Sequence, residues 1–220
     1  MTTLMERMAR GLRTEMYNPQ CSLIQHFCAA LTIALCLCAG CSESTQAPHF
    51  TNPTVQLTTT MGVITLELDI ARAPVSVANF LEYLKASFYD STIIHRVIPG
   101  FIIQGGQFTQ HLERKEPNDS IICESYNGLS NLRGTIGVAR GSSPNSGTCQ
   151  FFINLVDNTA LDKHDDSYPG YAVFGRVTGG MDVVDAIASV PTSTQQMPDG
   201  TPLYDVPVTP VIVLSVQRIK

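Results

Sequence analysis

Between Ile94 and Gly106 the chain reads I-H-R-V-I-P-G-F-I-I-Q-G-G, and few arrangements accommodate such a run. Ile94, Val97 and Ile98 lead into Pro99-Gly100, after which Phe101, Ile102 and Ile103 lead into Gln104 and a glycine pair. Residues of high β propensity on either side of Pro-Gly predict strand, turn, strand. One permanent cation, Arg96, and one amide, Gln104, are set into this apolar surrounding. A guanidinium beside an apolar pocket needs a partner or a role. Taken alone, Arg96 reads more simply as a structural ion-pair residue than as a catalytic one.

The rest of the chain supplies the setting. Its 220 residues suit one domain with extras, and 44% hydrophobic with 15% charged residues is a globular composition. A net charge of −5 gives no electrostatic footprint for nucleic acid. The extras are at the front: Arg7, Arg10 and Arg13 precede an apolar run from about Phe27 to Cys38, followed by Ala39, Gly40, Cys41 and a polar stretch. That run is shorter than the roughly 20 residues a bilayer-spanning helix needs, and it suits the core of an export signal. C-A-G-C at 38–41 resembles the bacterial lipobox, which would make Cys41 the lipidated first residue of a mature lipoprotein. The alternatives are an ordinary cleaved signal or an uncleaved anchor. We therefore expect a signal peptide over 1–40, a polar tether over 41–53 and a folded domain over 54–220. Ser42 after the cysteine fits sorting to the outer membrane, facing the periplasm, with a soluble periplasmic protein as the alternative. Without residues 1–40 the chain carries 11 basic and 17 acidic residues. Cys123 and Cys149 then remain as thiols, which an oxidising compartment could pair if their backbones lie close enough.

Taken in order, Val55–Thr60 and Gly62–Asp69 show period-two apolar patterns across a Thr60-Met61-Gly62 turn, a hairpin. Ala73-Pro74 opens a helix with apolar residues Val77, Phe80, Leu81 and Leu84 through about Phe88. Gln107–Gly128 is polar with two turn signals and reads as a long surface loop. Within it His111 and Glu113, and further on His164 with Asp165 and Asp166, lack the clustering of a metal site, so no metal or cofactor is expected. Strands are expected at Gly134–Arg140, Cys149–Leu155, Tyr171–Val177 and Val208–Ile219, with a second helix from Gly180 carrying Val183, Val184, Ile187 and Ala188.

Three ordered segments carry a resemblance. The first is I-H-R-V-I-P-G-F-I-I-Q-G-G itself. The second is G-T-I-G-V-A-R at Gly134–Arg140 with Q-F-F-I-N at Gln150–Asn154, and the third is Y-A-V-F-G-R-V at Tyr171–Val177. Their order and spacing resemble bacterial cyclophilins, the cyclosporin-binding class of peptidyl-prolyl isomerases, from about Val55 to Ile219. The resemblance implies a mainly β fold, a closed eight-stranded antiparallel β-barrel capped by two α-helices. It also implies roles: Arg96 as the catalytic cation and Gln104 orienting it or touching substrate. Phe101, Ile102, Phe152 and Leu161 would line the proline pocket, with Tyr171 at the site and the backbone around Arg140 pairing with an extended peptide. His95 reads as structural.

Rotation about an X-Pro bond meets a barrier of about 18–20 kcal/mol from amide resonance. Lowering it requires no nucleophile. A cation that hydrogen-bonds the prolyl nitrogen draws its lone pair out of conjugation and so favours the twisted state selectively. Departures from the family pattern are Ile94 in place of its usual Phe, Ala160 where many members have an aromatic, and Tyr171 where animal members have His. They argue against tight cyclosporin binding but leave Arg96 in place. Two function classes follow, ahead of a weaker third, a generic lipoprotein barrel for small ligands, against which the three motifs argue. One is an isomerase that assists the folding of exported proteins, a monomer with proline-containing polypeptides as substrates and a lipid at Cys41 as its only membrane contact. The other is a lipid-anchored module that holds proline segments without catalysis, for which Arg96 would be unnecessary.

Overall fold

The computed structural model describes residues 51–220. The leader and Cys41 lie outside the described residues, as does the tether except for its last three residues. Among the described residues no helix is long and apolar enough to cross a membrane.

Alternation builds the sheet. β1 (Thr54–Thr59) and β2 (Gly62–Leu68) form the expected hairpin, with Thr59 opposite Gly62. Val55, Leu57, Ile64, Leu66 and Leu68 are its fully buried positions. β3 (Thr92–Ile98) and β4 (Ile102–Thr109) are the two arms of the Pro-Gly stretch. β5 (Thr135–Val138), β6 (Phe151–Asn154), β7 (Val173–Gly179) and β10 (Val211–Arg218) complete a closed antiparallel barrel in the order β1-β10-β3-β4-β6-β5-β7-β2. Closure leaves the barrel no unpaired edge. Its interior is filled by side chains such as Ile94, Ile103, Ile136, Phe151, Ile153 and Val213.

Both helices feed that same core. α1 (Pro74–Lys85) contributes Val77, Phe80 and Tyr83, and the Phe80 ring lies 5.4 Å from Phe174 and 5.8 Å from Phe151. α2 (Met181–Ala188) contributes Val184 and Ile187. It starts from Gly180 at φ 82°, where a β-carbon would fall 2.2 Å from the Val63 carbonyl oxygen, so only glycine fits. α1 ends at Lys85, a few residues before Phe88, the end expected from periodicity.

Two stretches differ from expectation. Gln107–Gly128 is not simply a surface loop: β4 runs on to Thr109, Leu112 is buried, and Glu124 is buried beneath the start of α1. There the Glu124 carboxylate accepts from the Val75 and Ser76 amides at 3.0 and 2.7 Å and from Ser76 Oγ at 2.7 Å. These are first-turn donors that no helical carbonyl can reach, so a distant loop supplies the cap. The second stretch is a hairpin outside the barrel, β8 (Thr192–Gln196) with β9 (Pro202–Pro207). A polar T-S-T-Q-Q run and prolines at both ends of β9 hide these strands from pattern reading. The hairpin has its own small apolar cluster: Met197 and Val206, with Leu203 packed against them, meet Ile93, Phe108 and Leu112. Cys123 and Cys149 are both free thiols, and burial pushes the Cys149 thiol up to about 11.

Candidate active site

Because side chains alternate across a strand, the face of β4 and β6 opposite the core is set by the same residues that fill the core. Ile103, Phe151 and Ile153 point in, so Ile102, Gln104 and Phe152 point out. Gln104 pairs directly with Phe152 on one side and with Arg96 on the other. Gly137 faces Phe152 from β5, and a β-carbon there would lie 2.4 Å from the tip of the ring, so the glycine makes room for it.

These outward residues line a cavity of about 170 Å3. Arg96, Phe101, Ile102, Gln104 and Phe152 share it with Arg140, Leu161 and Tyr171, so all eight residues singled out in the folded domain meet at one place. Ala139 lines it too. An apolar cavity of roughly 150 Å3 accepts a benzene ring, so this one has room for the smaller prolyl ring.

The side chains are held as follows. Gln104 Nε2 donates to Gln150 Oε1 at 2.7 Å, and Gln150 Nε2 in turn donates to Gln107 Oε1. Gln107 continues to the Lys115 carbonyl at 3.3 Å. Gln104 therefore faces Arg96 in register, with its amide nitrogen tied to Gln150. Arg96 has a different neighbour, Asp205 on β9, with Nε 3.6 Å from Oδ2. The Arg140 guanidinium lies 4.4 Å above the Tyr171 ring and donates to the Gly170 carbonyl from Nε and Nη2 at 3.0 and 2.7 Å. Tyr171 meets Phe152 edge-on at 5.9 Å, which closes one wall.

The rim beyond Leu161 rests on buried amides. Asn154, fully buried, donates to Thr135 Oγ1 at 2.9 Å and to Asn131 Oδ1 at 3.2 Å. Asn158 bridges Asn154 Oδ1 at 2.8 Å to the Phe101 carbonyl at 2.9 Å. Asp162 accepts from Ser130 Oγ and from the backbone and side chain of Asn131. Partial burial works to raise its pKa, but these hydrogen bonds outweigh it and leave the carboxyl below its ordinary range. Sequence reading missed Gln150, Asn154 and their partners as site residues. The available signal was period two: Gln150, just before β6, alternates with Phe152 and Asn154 within it.

His95, read as structural, is buried with its ring 4.7 Å from Phe108 and no hydrogen-bond partner for Nδ1. Burial first, and then the neighbouring Arg96 charge, push its pKa down to about 4, so the ring is neutral near pH 7.

The lining contains no serine, cysteine, histidine or carboxylate. It has no nucleophile of the usual kind and no carboxylate or imidazole for acid–base work; it can confine a small ring against apolar walls beside a fixed cation. A closed barrel with such an outward pocket, apolar walls beside a cation, defines the class of site. Sequence comparison identifies that class. Residues 54–216 match the family model described as cyclophilin type peptidyl-prolyl cis-trans isomerase/CLD. The chain is 48% identical over 170 residues to peptidyl-prolyl cis-trans isomerase A of Dickeya dadantii, a match spanning 77% of this chain and 86% of that one. It is 45% identical over 157 residues to isomerase B of Escherichia coli, spanning 70% and 96% respectively. The crystal structure of a cyclophilin type isomerase from Cryptosporidium parvum shares the fold, with a TM-score of 0.63 at 23% identity over 77% of this chain and 99% of the other. The chain belongs to the cyclophilin-type peptidyl-prolyl cis-trans isomerases.

Proposed function

We propose that this isomerase assists the folding of exported proteins, that Arg96 is its catalytic cation, and that a lipid on Cys41 tethers it to a membrane surface. The observation that carries the catalytic reading is the meeting of the Arg96 guanidinium with Phe101, Ile102, Phe152 and Leu161 around a single cavity, whose other guanidinium, Arg140, is engaged by Tyr171 and Gly170. A prolyl ring in that cavity brings its nitrogen toward Arg96. Donation to the nitrogen lone pair weakens amide resonance, and the bond is then free to twist. The planar isomers keep the lone pair in conjugation and accept poorly, so the twisted state gains more than either ground state. Every tenfold in rate requires about 1.4 kcal/mol, well within reach of one charge-assisted hydrogen bond in a partly dry pocket. The outward edge beside Arg140 receives the extended peptide, and Gln104, fixed through Gln150, contacts it.

The leader pattern supports export, and C-A-G-C at 38–41 supports lipidation. An outer-membrane position facing the periplasm follows from Ser42, and the domain acts there as a monomer. The test of the catalytic reading is protease-coupled isomerisation of a short X-Pro peptide by the full chain, wild type against Arg96→Ala. Collapse of kcat/KM with an unchanged circular dichroism spectrum is expected; an active variant would remove Arg96 from the mechanism. For the anchor, a lipid mass shift is expected on the wild-type chain in Gram-negative cells and not on Cys41→Ala.

A further inference from the structure

Asp205 occupies an unusual position. It has a φ of 57°, in the left-handed region that disfavours ordinary residues and that aspartate tolerates better than most. It also sits in an irregular step of the β8–β9 ladder: Ser193 pairs with Val206 and Gln195 with Leu203, so Tyr204 and Asp205 together oppose Thr194. This is a β-bulge, a device that turns a side chain away from its regular direction. The neighbouring Val206 is buried in the apolar cluster that seats the hairpin on Ile93 and Phe108. The hairpin is thus pinned by Val206, while the bulge aims the next carboxylate at Arg96, with Oδ2 3.6 Å from Nε.

We propose that Asp205 is a positioning residue for the isomerase reaction, holding the Nε edge of Arg96 so that the terminal guanidinium nitrogens are left for the prolyl nitrogen in the pocket. This rests on the reading of Arg96 as the catalytic cation. Among the described residues Asp205 is the only carboxylate within ion-pair distance of Arg96. A guanidinium on a long, mobile side chain loses rotamer freedom when it must present two nitrogens to one point, and a partner that restrains it beforehand lowers that cost. The contact is made through Nε, so it does not occupy the nitrogens that substrate needs.

Substitution at this site separates positioning from stability. Glycine relieves the left-handed strain while removing the charge, and asparagine keeps the shape and tolerates the conformation. In the full-length protein Asp205→Gly and Asp205→Asn are expected to keep the wild-type Tm or raise it, while kcat falls about two- to fivefold, the range of a partly exposed ion pair. KM, measured by exchange NMR on an uncharged X-Pro peptide, stays unchanged. The loss shrinks at high salt, where the wild-type pair is itself screened, and it vanishes when the Asp205 variants are made in Arg96→Ala. Wild-type or faster turnover by both variants overturns the proposal, as does a loss that persists without Arg96. If Arg96→Ala is itself fully active, the catalytic reading of Arg96 fails; if that variant collapses and the Asp205 variants do not, only the positioning role fails.

Discussion

Gln104 and Gln150 are joined amide to amide, with Gln104 Nε2 donating to Gln150 Oε1 at 2.7 Å from the adjacent strand. Gln150 is itself fixed by Gln107, so the orientation of the pocket amide is set two residues away from it. Gln150→Ala removes the acceptor without touching the apolar walls. A loss of about tenfold in kcat/KM is expected, the equivalent of one ordinary hydrogen bond of about 1.4 kcal/mol. Peptide isomerisation assays check it, and a change below twofold would show that Gln104 is not held through Gln150.

His95 makes stability depend on pH. Its folded-state pKa of about 4 lies below the ordinary value of 6.5, so between those values the unfolded chain binds a proton that the folded one refuses. The neutral ring's contribution is fully present above pH 6.5 and is lost as pH falls toward 4, roughly 3 kcal/mol in all. Urea unfolding of wild type at pH 7 and pH 4.5 should show most of that loss. His95→Gln, which cannot titrate, should show a correspondingly flatter dependence, and equal slopes would contradict the assignment.

Glu124 stabilises α1 from outside it. Glu124→Ala leaves the Val75 and Ser76 amides and the Ser76 hydroxyl without their buried acceptor. The expected cost is roughly 3 kcal/mol, a fall in Tm of about 6–12 °C for a domain of this size. Glu124→Gln, which retains one acceptor oxygen, should lose less. Calorimetry measures both, and isomerase activity at 20 °C should be unchanged because α1 does not line the pocket.

Arg140 and Tyr171 act as a pair. The guanidinium above the ring, 4.4 Å from its centre, is also tethered to Gly170, so the stack is preformed. A double-mutant cycle with Arg140→Ala and Tyr171→Leu should give a coupling of about 1 kcal/mol in stability. Arg140→Lys should recover little of it, since an ammonium cannot stack flat. Additive effects would mean that the contact contributes nothing.

Much of this molecule is legible residue by residue. The alternation in Val55–Leu68 specifies a hairpin with one buried face, and Pro99-Gly100 between two apolar runs specifies another. Period two in Q-F-F-I-N sets Phe151 and Ile153 on one side and Phe152 on the other, but three apolar residues in a row do not say which side is the core; the resemblance supplied that. Resemblance supplied the rest of the pocket, since nothing in the spacing of Leu161 or Tyr171 alone directs them to Arg96.

The sequence by itself determined most of the local elements, because strand period, turn chemistry and helix entry depend on residues within a few positions of one another. Tertiary structure alone decided which polar groups meet. Glu124 caps a helix whose donors lie 48 and 49 positions earlier. Gln150 fixes Gln104 across 46 positions, and Asp205 reaches Arg96 from a hairpin that polar strands and flanking prolines conceal. Such pairings carry no local signature, for a carboxylate or an amide is compatible with any exposed position until folding buries it. For Glu124 what selects the partner is the high cost of leaving a buried donor unpaired, which arises only once the barrel has closed, whereas the half-exposed Asp205 meets Arg96 because the packed hairpin carries it there.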